Sequence, residues 1–332
     1  MKIFVCEFIT GGGLYRAPLP ASLVQEGKLM RDALLRDLAA VNDVQITTTY
    51  DARLETPMLV HQAIPIAIES DNGKIWRQCI EAADAVWLIA PETGGVLSQL
   101  TLLAESRHKI LLGSSATAID TASSKYATYE ALLADGINTV PTYRPDAWEP
   151  TFHGQWVAKL DDGVGCEDSG YFETSEALMS WINQGRQTSH IIQPLMPGIP
   201  ASISMLCKKG QAWLLSCNRQ KIRRESGKFI YNGSVLNGMA QHWSAFEMLA
   251  QRVASAIPGL AGYVGIDVLV DGNEVAVLEV NPRLTTSYTG LNEALDYNPA
   301  KLVLDLLYND GFQSADFNMP KAISRNVVEV TL

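Results

Sequence analysis

The first 120 residues alternate short apolar runs with amphipathic stretches. Lys2–Phe8 is a β-rich run that stops at Thr10-Gly11-Gly12-Gly13. Ala21–Val41 carries Leu23, Leu29, Met30, Ala33, Leu34 and Leu38 near one face of a 3.6-residue period, which predicts a helix. Val44–Thr49 is short and β-branched, and Lys74–Ala83 has a helical pattern. Ala85–Ala90 is a continuous apolar run, suited to a strand covered on both faces. Val96–Ser106 predicts another helix and Lys109–Gly113 another strand. This order predicts a parallel sheet with helices on both sides.

The pattern then changes. Ser123–Gly136 predicts a helix closed by Gly136, and Arg144–Gly154, with Pro145, Pro150 and Gly154, predicts a linker. Trp156–Leu160 reads as a strand followed by a flexible Asp161–Gly165 loop. Glu176–Asn183 predicts a helix, and Ile191–Leu195 a strand. Ala201–Cys207 and Gln211–Cys217 flank Lys208-Lys209-Gly210, a hairpin signal. After a predicted helix at Ala245–Ile257, Tyr263–Val270 and Glu274–Val280 flank Asp271-Gly272-Asn273, a second hairpin. Pro299–Tyr308 predicts a closing helix. The expected class is therefore α/β with α+β parts. The expected units are an N-terminal α/β domain at 1–120, a small lobe at 121–195 and a C-terminal lobe at 196–332.

Composition narrows the function classes. The 332 residues are 47% hydrophobic and 19% charged, a globular balance with room for two or three domains. A formal net charge of −10 argues against a nucleic-acid partner. No apolar run approaches a membrane span, and the N-terminus, interrupted by Glu7, reads as a first strand and not a signal peptide. Cys6, Cys79, Cys166, Cys207 and Cys217 are scattered and odd in number, which fits a reducing cytoplasm better than a disulfide framework. His61, His108, His153, His190 and His242 stand singly, without a nucleophile signature.

The most informative stretch is GYVGIDVLVDGNEVAVLEVNPR, residues 262–283. Alternation along a strand points Glu279 and Asn281 the same way, and a short hairpin brings Asp267 beside them. These hard oxygen donors suit Mg²⁺ that also holds phosphate. Read alone, the same acids are equally two solvent-facing groups at strand ends. Arg283, after Pro282, suggests an anion held nearby. Lys159, with Gly163 and Gly165 behind it, suits phosphate contact, or a hairpin turn with a snorkelled lysine. The stretch is neither a GxxxxGK[ST] loop nor a GxGxxG fingerprint. Lys125 reads as a solvated lysine at a helix start. Gln193-Pro194-Leu195 offers an extended edge, with free backbone groups, that could read an adenine. Lys221 opens a basic run with Arg223, Arg224 and Lys228, suited to a triphosphate or carboxylate, or to solvent. Thr10–Gly13 lies where ligands gather on open α/β sheets, though a plain strand-to-loop turn explains it as well.

Taken in order, these pieces resemble the ATP-grasp superfamily of carboxylate–amine ligases. The likeness runs through Ser124-Lys125, Val157-Ala158-Lys159 with its glycine loop, and Ile192-Gln193-Pro194-Leu195 with Gly198. It ends in Asp267, Glu279, Asn281 and Arg283, and spans about residues 1–310. The resemblance implies an ATP-grasp fold and ATP-dependent amide formation through an acyl phosphate. It implies ATP as cofactor, with phosphates on Lys125 and Lys159 under Gly163 and Gly165, and adenine at Gln193, Pro194 and Leu195. Mg²⁺ or Mn²⁺ would sit on Asp267, Glu279 and Asn281, with Arg283 and Lys221 acting on the transferring group. Many members hold the ribose with a Glu where this chain has Pro200, so Ser202 is the candidate for that contact.

Within the superfamily, the opening MKIFVCEFITGGGL and the close LEVNPRLTTSYTGL resemble a branch that joins tyramine to L-glutamate for methanofuran-type cofactors. That likeness implies small-molecule substrates, L-glutamate and tyramine, and leaves a homo-oligomer open. The competing expectations are an amino-acid or peptide ligase with another amine, and a non-catalytic nucleotide- or metabolite-binding protein.

Overall fold

The computed structural model describes residues 1–148, 154–165, 168–225, 227–308 and 317–332. The centre of the expected linker, 149–153, and Cys166 lie outside these residues.

The first block contains β1 (Lys2–Glu7), α1 (Ala21–Ala39), β2 (Gln45–Asp51), β3 (Gln62–Ile66), α2 (Asn72–Ala82), β4 (Ala85–Ile89), α3 (Val96–Glu105) and β5 (Ile110–Leu111). The strands form one parallel sheet in the order β3-β2-β1-β4-β5. Both faces are covered, as the apolar runs predict. Ile3 and Val5 pack under Met30, Leu34 and Leu38 of α1. Phe4 and Cys6 face Trp76 and Ile80 of α2 and Leu97 and Leu100 of α3. The sequence pattern misses β3, because Pro65 interrupts it; an edge strand tolerates proline where a central one does not.

The helix expected at Ser123–Gly136 is α5 (Lys125–Ala134), and a helix the pattern did not announce, α4 (Ala116–Ser123), precedes it. Ser124 between them is extended, at φ −87° and ψ 116°, and its hydroxyl accepts the Ala127 N–H at 3.0 Å. That cap breaks the helix and starts the next one at Lys125. A small antiparallel sheet follows, ordered β7-β6-β8 and built from β6 (Trp156–Leu160), β7 (Gly170–Phe172) and β8 (His190–Pro194). Helix α6 (Ser175–Ile182) covers it through Leu178 and Ile182, against Trp156, Ala158 and Ile192.

The remaining elements are β9 (Ile199–Lys208), β10 (Gln211–Glu225), β11 (Lys228–Leu236), α7 (Trp243–Ala256), β12 (Gly262–Asp271), β13 (Glu274–Asn281), α8 (Leu291–Leu295), α9 (Pro299–Leu307) and β14 (Val328–Thr331). Their strands form an antiparallel sheet ordered β13-β12-β9-β10-β11-β14. The β9–β10 hairpin turns at Lys209 and Gly210, both at positive φ (49° and 76°), as a two-residue turn of matching twist requires. The strand expected at Gln211–Cys217 runs on to Glu225, paired to β11. Dense charge at the end of β10, where Arg219, Lys221, Arg223, Arg224 and Glu225 crowd together, hides this hairpin from a hydrophobicity reading. One face of the sheet packs on α7 through Phe246, Leu249 and Val253. The other shares a core with α8, α9, α1 and the parallel sheet.

Among the described residues no helix is long and apolar enough to cross a membrane. The four described cysteines, Cys6, Cys79, Cys207 and Cys217, are buried thiols.

Gly233 tests how the last strand is held. It lies at φ 108° on β11 opposite Thr331, and a Cβ there would overlap the Val330 carbonyl oxygen. Gly233→Ala is expected to lower unfolding free energy by about 1–3 kcal/mol. An unchanged urea midpoint would show that β14 does not pair as described.

Candidate active site

A cavity of about 630 Å³ opens between the small sheet, the six-stranded sheet and the N-terminal end of α1. Its lining includes Lys125, Lys159, Gly163, Gly165, Gln193, Pro194, Leu195, Ser202, Asp267, Glu279, Asn281 and Arg283, the residues the resemblance implies, but not Lys221.

The acidic hairpin forms as alternation predicts. Asp267 on β12 is paired in register with Glu279 on β13, and Asn281 stands opposite Gly265. Gln220 donates from Nε2 to Asp267 Oδ1 at 2.9 Å. Burial raises the Asp267 carboxyl well above the usual range, and the neighbouring Glu279 carboxylate pushes the same way. Burial would raise Glu279 too, but Lys125 and Lys159 outweigh it and hold that carboxyl below the usual range. The Glu279 side chain is 26% exposed, with its Oε2 3.5 Å from Lys125 Nζ and 3.8 Å from Lys159 Nζ.

Lys125 is no solvated helix-start lysine. Its side chain is 6% exposed and donates to the carbonyls of Gly163 at 2.7 Å and Asp161 at 3.3 Å. Asp161 explains why it sits there. One carboxylate oxygen accepts the Ser124 hydroxyl at 2.7 Å, and the other accepts the Tyr126 N–H at 2.9 Å. An acid at a helix N-terminus satisfies open N–H groups and opposes the helix dipole. The loop after β6 therefore holds the start of α5. Its next residue is held from the parallel sheet: Thr93 Oγ1 donates to the Asp162 carbonyl at 2.9 Å, and the Gly94 N–H to Asp162 Oδ2 at 2.8 Å.

Gln193 is buried, and its Nε2 donates to Thr142 Oγ1 at 2.9 Å, leaving the amide oxygen as acceptor. One expectation needs correcting here. The Leu195 N–H is not free, because it donates to the Gln155 carbonyl at 2.8 Å and continues the β6–β8 pairing. Ser202 accepts from Asn218 Nδ2 at 3.3 Å and is paired in register with Asp267, so it stands at the carboxylate end of the cavity.

Lys221 is the other correction. Its ammonium pairs with Glu329 on β14, away from the cavity. The β10–β11 register shifts between Gln220 and Ile222, and Gln220, Ile222 and Arg224 are the β10 residues lining the cavity. Thr10–Gly13 is also not among the lining residues. Its Thr10 hydroxyl and the N–H groups of Ile9 and Thr10 donate to the buried Glu7 carboxylate, as a plain structural turn would.

Arg283 reaches the cavity already engaged. Its Nε and one terminal nitrogen donate to Glu92 Oε2 at 2.9 and 2.8 Å, and its other terminal nitrogen donates to the Leu284 carbonyl at 3.1 Å. The reading of the sequence missed Glu92. Its signal was position: it follows β4 at the C-terminal edge of a parallel sheet, where ligands gather. Glu26 on α1 and Tyr231 on β11 also line the cavity and carried no local motif, and Thr285–Ser287, inside the quoted closing stretch, line it too.

Oxygen donors of this kind fit a hard cation such as Mg²⁺ or Mn²⁺. Among the described residues no three His, Cys, Asp or Glu side chains form a metal cluster. Asp267, Glu279 and Asn281 would thus give only part of a cation's shell, with phosphate oxygens completing it.

The Arg283–Glu92 pair is mostly buried, at 13% and 5% exposure. Glu92→Ala strands the guanidinium and is expected to cost about 3–5 kcal/mol of stability. Removing both charges with Arg283→Met added is expected to recover much of that loss in denaturant melts. Additive losses would show that the pair does not interact.

The chain matches the ATP-grasp domain over residues 122–287 and the pre ATP-grasp 3 domain over 44–119. It is 29% identical over 274 residues to the tyramine–L-glutamate ligase of Methanocaldococcus jannaschii, covering 81% of this chain and 79% of that protein. An ATP-grasp superfamily protein from Archaeoglobus fulgidus superposes with a TM-score of 0.72 at 21% identity, covering 99% of both chains. The biotin carboxylase domain of Hydrogenobacter thermophilus 2-oxoglutarate carboxylase, solved with MgADP, ADP and bicarbonate, superposes at 0.69 and 15% identity. That match covers 98% of this chain and 72% of the other. With a matched domain spanning half its length and the corresponding arrangement of sheets, the chain belongs to the ATP-grasp family.

Proposed function

We propose that this chain joins the γ-carboxyl of L-glutamate to the amine of tyramine, converting ATP to ADP and phosphate. Family and relatives make it an ATP-dependent ligase. The substrates rest on the likeness to tyramine–L-glutamate ligase over four fifths of the chain. The observation that carries the chemistry is the meeting of Lys125, Lys159, Asp267 and Glu279 at one wall of one cavity.

In this reading a carboxylate oxygen of the substrate attacks the γ-phosphorus of ATP. The bond to the β–γ bridging oxygen breaks, and ADP leaves. The amine nitrogen then attacks the acyl carbon, phosphate departs with the C–O electron pair, and the nitrogen loses a proton. Lys125 and Lys159 hold phosphate oxygens, and Gly163 and Gly165 let the loop backbone approach them. The Gln193 amide oxygen accepts from the adenine amino group, and Pro194 and Leu195 flank the base. Asp267, Glu279 and Asn281 would hold the cation, and Ser202 is the candidate contact to the ribose. A bound Mg²⁺ neutralises charge on the β- and γ-phosphates. Arg283, oriented by Glu92, stabilises the transferring group without itself forming a bond.

The direct test is ADP release with L-glutamate and tyramine, with product mass measured. A tyramine-dependent rate and a γ-glutamyl amide of the right mass are expected. Turnover with another amine and none with tyramine would move the chain to the wider amino-acid ligases; ATP binding without turnover on any pair would favour a non-catalytic role. Glu279→Gln should lower turnover by about 10²–10³-fold, the range for losing one group that stabilises transition-state charge, with the melting profile retained. Near-normal turnover would remove Glu279 from the metal site. Lys159→Ala should weaken ATP binding by about ten- to a hundredfold, the range for a hydrogen bond to a charged group. Unchanged ATP affinity would remove Lys159 from the phosphate site.

A further inference from the structure

We infer that Glu26 is a substrate-binding residue whose carboxylate takes a protonated primary amine. The inference rests on the ligase reading above and assigns a subsite to it.

Helix α1 contributes Ser22, Leu23, Glu26 and Met30 to the lining of the cavity that also holds Gln193 of the small sheet. Positions 22, 26 and 30 recur at helical spacing, so one face of α1 forms this wall. The placement of α1 is set by packing. Gly27 lies over the end of β1, and a Cβ there would come within 2.7 Å of Glu7 Oε2. Glu26 is thus carried on a rigid element seated directly on the parallel sheet.

Its charge is what stands out. Among the described residues no hydrogen bond or ion pair engages the half-buried Glu26 carboxylate. Burial raises its pKa, and the field of Arg283 acts against that rise. Arg283 is the nearby cation, and its guanidinium is committed to Glu92 and the Leu284 carbonyl. The Tyr231 hydroxyl is committed to Thr286 Oγ1 at 2.9 Å. An unpaired carboxylate that has lost part of its water is costly, and such groups gather at functional sites. The group that completes it is a cation with N–H donors. A primary ammonium supplies three.

Both proposed substrates carry one. Tyramine bears it on an aryl-ethyl body that suits the apolar Leu23 and Met30. L-Glutamate bears it beside a carboxylate that suits the Arg283 side. The chemistry recognised is the same, and the experiment separates the sources.

Glu26→Gln keeps the volume and removes the charge. Steady-state KM for tyramine and for L-glutamate, ATP affinity and melting temperature are measured for wild type and variant. One KM is expected to rise about ten- to a hundredfold, with ATP affinity and melting temperature held. A rise for tyramine alone assigns its ammonium to Glu26; a rise for L-glutamate alone assigns the α-ammonium. Two unchanged KM values overturn the inference, as does an equal loss of ATP affinity. Absence of wild-type turnover on this pair would count against the proposed function and not against Glu26. Calorimetric titration of tyramine and of L-glutamate into both proteins, loaded with a non-hydrolysable ATP analogue, then decides. Weaker binding of either to the variant supports the inference, and equal or absent binding overturns it.

Discussion

Two carboxylates side by side on neighbouring strands repel each other, and the site is built around that repulsion. Asp267 and Glu279 are adjacent in register on β12 and β13, partly withdrawn from water. They are tolerable together because Lys125 and Lys159 approach Glu279 from two other elements, α5 and β6. These four side chains tie β12 and β13 of the six-stranded sheet to α5 and to β6 of the small sheet. An interior of this kind is expensive to leave incomplete, since a buried charge without a partner costs more than the pair contributes. It is also readily recomposed when a cation and phosphates enter, because each group has a new partner of the opposite sign.

The segment Glu92–Gly95 extends that logic to the parallel sheet. Glu92 holds Arg283, which follows β13, while Thr93 and Gly94 hold Asp162 in the glycine loop. One short loop at the end of β4 therefore contacts both C-terminal sheets at the cavity. Its neighbour α1 closes the same cavity with an unpaired acid. The N-terminal block thus has two tasks in this reading: it orders groups that act on phosphate, and it supplies the wall that meets the amine.

Much of this was legible in the residues. The hairpin at 262–283 keeps a two-residue period from Gly265 to Asp267 and from Glu279 to Asn281, ahead of the register shift at Val268, so its three oxygen donors could be placed on one face before any coordinates. The apolar runs of β1 and β4 announced a sheet covered on both sides. The signal at the two lysines was weaker. Lys159 had a glycine loop behind it, whereas Lys125 acquired meaning only from the order of all the pieces together. Its burial depends on Asp161, thirty-six residues on, which caps the helix it begins.

Where reading failed, the causes are specific. A register shift in the β10–β11 pairing falls between Gln220 and Ile222. Lys221 meets Glu329, and Gln220 reaches the cavity. The Leu195 amide, expected to be free, is consumed by a strand pairing that no local pattern announces. Glu92 and Glu26 look like ordinary surface acids along the chain. Periodicity and turn chemistry are local, so they set strands, helices and the direction of each side chain within an element. Which charges share one dielectric environment depends on how separate elements pack. That was settled when the parallel sheet docked on the antiparallel one through the shared core of α1, α8 and α9.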